Sequence, residues 1–141
     1  KKINTKILIS LGVHSGDHAI YPDCREGFYK KLFKAFSEGN WDSDKVELLL
    51  PYLKLDKSQI LLDAQKSCQK LDISFNTIFK NTITSYSPNE DGISSGKSGS
   101  DIERILAFNK LGLKDPIDYI ESWDIVLKNA IKIEENFKKI N

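Results

Sequence analysis

At 141 residues, 40% hydrophobic and 29% charged, the chain reads as a single globular domain, 1–141, long enough to bury a core without a metal or disulfide. Twenty-one basic against twenty acidic residues leave a net charge of +1, which argues against a nucleic-acid binder that relies on a basic face. No run approaches the roughly 18 apolar residues of a membrane span, and two cysteines in a chain of this size read as reduced thiols, which points to a cytoplasmic protein.

The N-terminal stretch begins with two lysines and a short apolar run, Ile7-Leu8-Ile9 then Leu11, that imitates a signal peptide. The run stops at Gly12 and His14 with no small-residue cleavage site after it, so secretion is not expected. Ile3, Ile7, Leu8 and Leu11 fit a helical stripe, while Ile7, Ile9, Leu11 and Val13 alternate like a strand. No second strand is evident to pair with it, so a helix is the expectation.

Asp23 and Glu26 have capping-box spacing ahead of a second helix with Tyr29, Leu32, Phe33 and Phe36 on one face, and Gly39 is placed to end it. A third helix is expected from Asp42–Asp44 through Val46, Leu49, Leu50 and Leu53, with Pro51 as a kink or stop. A fourth starts at Asp56 and buries Ile60, Leu61, Ala64, Cys68 and Leu71; a fifth runs from about Asp72 to Tyr86. Ser100 and Glu103 suggest a capping box for the next, which Gly112 and Leu113 close. Asp115-Pro116, an N-cap followed by proline at the first helical position, predicts a last helix to about Phe137, roughly 33 Å long. The expected fold class is therefore all-α: a bundle of six to seven antiparallel and crossed helices.

One polar stretch interrupts this pattern. Residues 85–100 (SYSPNEDGISSGKSGS) carry six serines, three glycines and one proline. Within it, Gly92 to Ser98 (GISSGKS) imitates a phosphate-cradling loop, but has three residues between its glycines where four are needed, and no strand before it. Glu90 and Asp91 would also repel a phosphate. A long loop that orders on a partner is the better reading.

Three sets of side chains merit weighing as sites. His14, Asp17, His18 and Cys24 lie close together and would suit a small metal-dependent or Cys–His enzyme, yet the spacing fits no zinc motif and no orienting third group is identifiable. Lys30, Lys31 and Lys34 would suit a helical nucleic-acid-associated module. Asp118, Glu121 and Asp124 fall within a third of the expected last helix's circumference, and with Glu90, Asp91 and Asp101 they would form an acidic patch. Acids early and lysines late on that helix also match its macrodipole.

No cofactor or metal constellation is complete, and no stretch carries a diagnostic family motif. The expectation is a non-enzymatic binding protein of the immunity or antitoxin type. It would occlude one protein partner, such as a toxin, through Glu90, Asp91, Lys97, Asp118, Glu121 and Asp124.

Overall fold

A computed structural model describes residues 5–16 and 21–140. They form two compact units, residues 1–56 and 57–141.

The first unit pairs strand β1 (Ile7–Ser10) with strand β2 (Val46–Leu49), and helix α1 (Glu26–Gly39) lies between them in sequence. The strands run parallel, with Ile7 opposite Val46 and Ile9 opposite Leu48. Here the alternation of Ile7, Ile9 and Leu11 prevails over the helical stripe. The partner strand is the segment expected as a third helix, whose β-branched and leucine-rich residues fit a pleated surface equally well. Leu11 N donates to Leu49 O at 3.1 Å and prolongs the ladder by one bond. Pro51 follows the strand in a turn and kinks no helix.

α1 matches its expected span, but its start differs. Pro22–Cys24 form a 3-10 turn with proline in the first positions, and Arg25 is the extended N-cap with no side-chain cap. Asp23 therefore does not cap α1. Cys24 closes the preceding turn and does not open the helix.

The second unit holds α2 (Lys57–Lys70), α3 (Phe75–Lys80), α4 (Gly99–Lys110) and α5 (Trp123–Ile140). α2 ends at Lys70; two residues on, Asp72 at φ 53° turns the backbone left-handed, and Ile73 N donates to Cys68 O at 3.0 Å. Ser74 then caps α3 by accepting from Thr77 N at 3.2 Å. α3 lasts six residues and stops well before Tyr86. Gly112, at φ 68°, closes α4 as expected: Leu113 N returns to Phe108 O at 3.0 Å, and Leu113 packs on the core.

Two apolar clusters meet on α4. Leu61, Ala107 and Phe108 gather Phe75, Phe79, Leu111, Leu113 and Trp123; Ile105, Val126 and Ala130 gather Tyr119, Trp123 and Leu127. Trp123 touches both. Phe108 and Ile105 are fully buried, each worth about 1.5–3 kcal/mol against exposure.

The six-to-seven-helix all-α expectation is thus corrected to five helices and a parallel two-stranded sheet among the described residues. α5 also starts seven residues later than Asp115-Pro116 predicted. Asp115 instead folds back on the chain: Ile117 N donates to its Oδ1 at 3.2 Å, and residues 116–122 stay non-helical. Among the described residues, no helix is long and apolar enough to cross a membrane.

Candidate functional site

The polar stretch 85–100 is packed in its second half: Ser94, Ser95 and Gly96 are buried, whereas residues 86–92 are exposed. Asn89 builds a turn by accepting from Ile93 N at 2.7 Å on its side chain and from Gly92 N at 3.0 Å on its carbonyl. Ser94 then bridges to Tyr119, with Ile120 N donating to Ser94 O at 3.0 Å. Gly96, at φ 71°, lies against α5; a Cβ there would sit 2.7 Å from Val126 Cγ1. Only glycine fits both constraints.

α4 begins two residues earlier than expected. Ser98, not Ser100, is the N-cap: its hydroxyl accepts from Asp101 N at 3.2 Å, and the Asp101 carboxylate accepts from Ser98 N at 3.3 Å. The same Asp101 oxygen accepts from Ser85 Oγ at 2.9 Å and Ser95 Oγ at 3.3 Å. Asp101 is fully buried, and its Oδ1 has no hydrogen-bond partner among the described residues; neither do the buried hydroxyls of Thr84 and Ser94. An internal carboxylate therefore occupies the helix N-terminus that a phosphate would need. The donors gathered on it are hydroxyls and an amide, a set unlike the thiolates and imidazoles that hold zinc. Among the described residues no group of three or more His, Cys, Asp or Glu is placed to hold a metal.

One turn along α4, Arg104 forms a second buried network. Its Nε and Nη2 bind both oxygens of Asp115 at 2.5 and 2.9 Å. Nη1 donates to Thr82 Oγ1 at 2.8 Å, and Nη2 donates to the Phe79 carbonyl at 3.0 Å, at the end of α3. Tyr119 donates its hydroxyl to Asp115 at 2.8 Å. Burial first, then the Asp115 carboxylate, pushes the Tyr119 phenol far above its ordinary value.

Against these networks lies a cavity of about 350 Å³ lined by Lys80, Asn81, Thr82, Ile83, Gly92, Ile93, Ser94, Ile117 and Asp118. It offers one cation, one carboxylate, an amide and hydroxyls. The first unit holds a different cavity, also about 350 Å³, walled by Tyr29, Phe33, Leu48, Leu50 and Leu53, with Glu26 and Lys30 on its lining. Those two are ion-paired at 2.8 Å, and the hydrogen bond from Lys30 holds the exposed Glu26 carboxyl below its ordinary range. The first cavity suits a ligand with polar groups; the second, more apolar in its lining, suits an apolar or aromatic one.

The residues expected as sites are distributed differently. Glu90, Asp91 and Lys97 are exposed on the packed stretch. Asp118 lines the polar cavity, Glu121 precedes α5, and Asp124 lies in its first turn. These three share no helical face, because α5 contains only the last of them. His14 is buried, and its Nδ1 accepts from Gly16 N at 3.1 Å. Asp17 and His18 lie outside the described residues. Lys30 and Lys34 pair with Glu26 and Glu38 on their own helix, the latter at 3.8 Å. Sequence reading placed Asp101 in an acidic patch and Asp115 at a helix start, where the structure buries both in polar networks, and it passed over Arg104 and Ser94. The signals were Ser98 three residues before Asp101, and an arginine set among Ile102, Ile105 and Phe108 on an otherwise apolar face.

Parallel strands, joined through a helix and followed by a helical unit with buried polar networks, define an α/β-type protein with ligand-sized cavities. The profile of the family described as "Queuosine biosynthesis protein QueC" matches residues 2–112, and the chain belongs to that family. Among curated proteins, it is 44% identical over 108 residues to 7-cyano-7-deazaguanine synthase 1 of Colwellia psychrerythraea, covering 77% of this chain and 44% of that one. It is 38% identical over 115 residues to the 7-cyano-7-deazaguanine synthase of Caldicellulosiruptor saccharolyticus, covering 80% and 46%. The Rickettsia rickettsii protein of that name is 34% identical over 116 residues, covering 79% and 47%. The chain thus spans a little under half the length of these relatives. No solved structure matches it. The family match overturns the expectation of a non-enzymatic immunity or antitoxin protein, because a family of biosynthetic proteins accounts for the chain where a toxin inhibitor does not.

Proposed function

We propose that this chain contributes part of an enzyme of the 7-cyano-7-deazaguanine synthase kind, acting in queuosine biosynthesis together with the remainder of the length its relatives possess. The observation that carries this reading is the 44% identity over 108 residues to one such synthase. The cavity of the first unit supports it. All seven of its lining residues fall inside the matched stretch 2–112, and its size and its apolar walls of Tyr29, Phe33, Leu48, Leu50 and Leu53 suit a heterocycle, with the Glu26–Lys30 ion pair at its edge. The packed stretch and the Arg104 network brace α4 and are positioning elements.

The test is complementation. The chain is expressed in a bacterium lacking its own 7-cyano-7-deazaguanine synthase, with and without a separate polypeptide made of the Colwellia relative outside its 108 matched residues. Queuosine is then measured by mass spectrometry. Restored queuosine with both polypeptides, falling at least tenfold with Phe33→Ala, is the expected result. No queuosine from a pair shown to be soluble and associated would sink the reading.

A further inference from the structure

We propose that the polar cavity of the second unit is a binding site for a free α-amino acid with an aliphatic side chain. The site goes beyond the enzymatic reading: two of its lining residues, Ile117 and Asp118, lie past the stretch 2–112 that matches the family.

Lys80 and Asp118 line one cavity of about 350 Å³. Among the described residues neither takes part in an ion pair. The cavity of the first unit is different, because its Glu26 and Lys30 neutralise each other at 2.8 Å. An ammonium and a carboxylate that share a cavity without pairing match a molecule bearing the reverse pair, a carboxylate for Lys80 and an ammonium for Asp118. A simple anion or a simple cation would meet one partner and one like charge. Asn81 commits its Nδ2 to the Thr77 carbonyl at 2.7 Å and keeps its Oδ1 as an acceptor for the ammonium.

Ser94, in the same lining, is 1% exposed, and its hydroxyl has no hydrogen-bond partner among the described residues. Buried polar groups are nearly always bonded, so this hydroxyl calls for a partner from outside the chain. Ile83, Ile93 and Ile117 supply apolar wall beside the charges, which suits an aliphatic body on the ligand.

The cavity is also built in advance. Three segments, 80–83, 92–94 and 117–118, form it. Arg104 Nη1 holds Thr82 Oγ1 at 2.8 Å, and its partner Asp115 accepts from Ile117 N at 3.2 Å, so one buried pair ties the first segment to the third. Ile120 N donates to Ser94 O at 3.0 Å and ties in the second, where Asn89 Oδ1 also holds Ile93 N at 2.7 Å. Walls fixed this way need little reordering on binding, which lets a small ligand bind through few contacts. The volume lies at the low end of small-molecule sites, about 300–1,000 Å³.

The test titrates the isotope-labelled 141-residue chain with L-leucine at neutral pH and follows its backbone amides by NMR. The expected result is a saturable shift confined to residues 80–83, 92–94 and 117–118, with a Kd of about 1 mM. L-leucinamide, which lacks the carboxylate, and isocaproate, which lacks the ammonium, each bind about fivefold more weakly. Lys80→Gln abolishes the preference for L-leucine over L-leucinamide, and Asp118→Asn abolishes the preference over isocaproate. The comparison of the three compounds uses the unsubstituted chain, so it decides the matter even where a variant folds poorly. The proposal is overturned by the lack of a saturable shift up to about 10 mM L-leucine, and by shifts centred on the first unit's cavity. Equal affinities for the three compounds overturn it too, as does glycine binding as tightly as L-leucine. None of these results touches the enzymatic reading, which rests on the other cavity and on restored queuosine.

Discussion

Arg104 and Asp115, eleven residues apart, meet as a bidentate pair with side chains 4% and 0% exposed. The pair is satisfied beyond itself: Thr82 and the Phe79 carbonyl accept from the guanidinium, and Tyr119 and Ile117 N donate to the carboxylate. Arg104 also lies over the Phe108 ring, 5.4 Å from its centroid. One side chain on α4 thus fixes the end of α3, the segment after α4, and the wall of the polar cavity. Arg104→Met removes one member and leaves Asp115 buried without a counter-charge, which costs about 3–5 kcal/mol. Urea unfolding should show that loss. The double change Arg104→Met with Asp115→Leu should recover part of it, because two apolar groups leave no orphaned charge. A double variant no better than the single one contradicts this account.

How much of this was legible in the sequence depends on how local the cause is. α1 follows from the spacing of Tyr29, Phe33 and Phe36, and the stop of α4 from Gly112 and Leu113; both signals lie within one or two turns. The sheet was not legible because β1 and β2 are separated by α1, and each short apolar run fits two periods until its partner is known. Asp115 carried a true local signal, an Asp-Pro start, that the Arg104 guanidinium overrode from another element. The candidate site suffered for the same reason. The acids read as one face depended on a helix that begins only at Trp123. The family itself was not read from the sequence; it came from the match over residues 2–112.

Gly96 supplies a second prediction. Its positive φ acts together with the nearness of α5, where Val126 Cγ1 lies 2.7 Å from the position an added Cβ would take. Gly96→Ala forces either the backbone or α5 to give, at a cost of about 1–3 kcal/mol. Gly99→Ala, with open space around its Cβ and a place in the first turn of α4, changes stability by less than about 0.5 kcal/mol. Equal effects of the two substitutions on the thermal midpoint would contradict the packing described for residues 94–96.

Asp101 supplies a third. Its Oδ2 accepts from Ser85 Oγ, Ser95 Oγ and Ser98 N. Asp101→Ala leaves those donors without an acceptor at the start of α4, and should cost about 1–3 kcal/mol. Asp101→Asn keeps an amide oxygen for part of the set and should lose less. Amide exchange at Ser98 and Asp101 checks the mechanism: both should accelerate in the alanine variant while Ile105 and Phe108 stay protected. Uniform acceleration along α4 would mean that the carboxylate serves the whole helix and not its cap.

Tyr119 gives the pH prediction. Its phenol is held neutral in the folded chain, chiefly by burial and secondarily by the Asp115 carboxylate, so its folded pKa lies above the unfolded value of about 10. A raised pKa means that the folded state binds the proton more tightly. The contribution is complete below about pH 10 and is lost as the pH rises beyond it, by up to about 1.4 kcal/mol per unit. Lysines titrate in the same range, so the informative quantity is the difference from Tyr119→Phe. That variant lacks the hydroxyl bonded to Asp115 and is the less stable of the two at pH 8 by about 1 kcal/mol. Between pH 9.5 and 11 the native chain should lose stability faster, so the gap between their urea midpoints closes and then reverses. Two midpoints falling in parallel across that range would show that the Tyr119 hydroxyl is not held as a buried donor to Asp115.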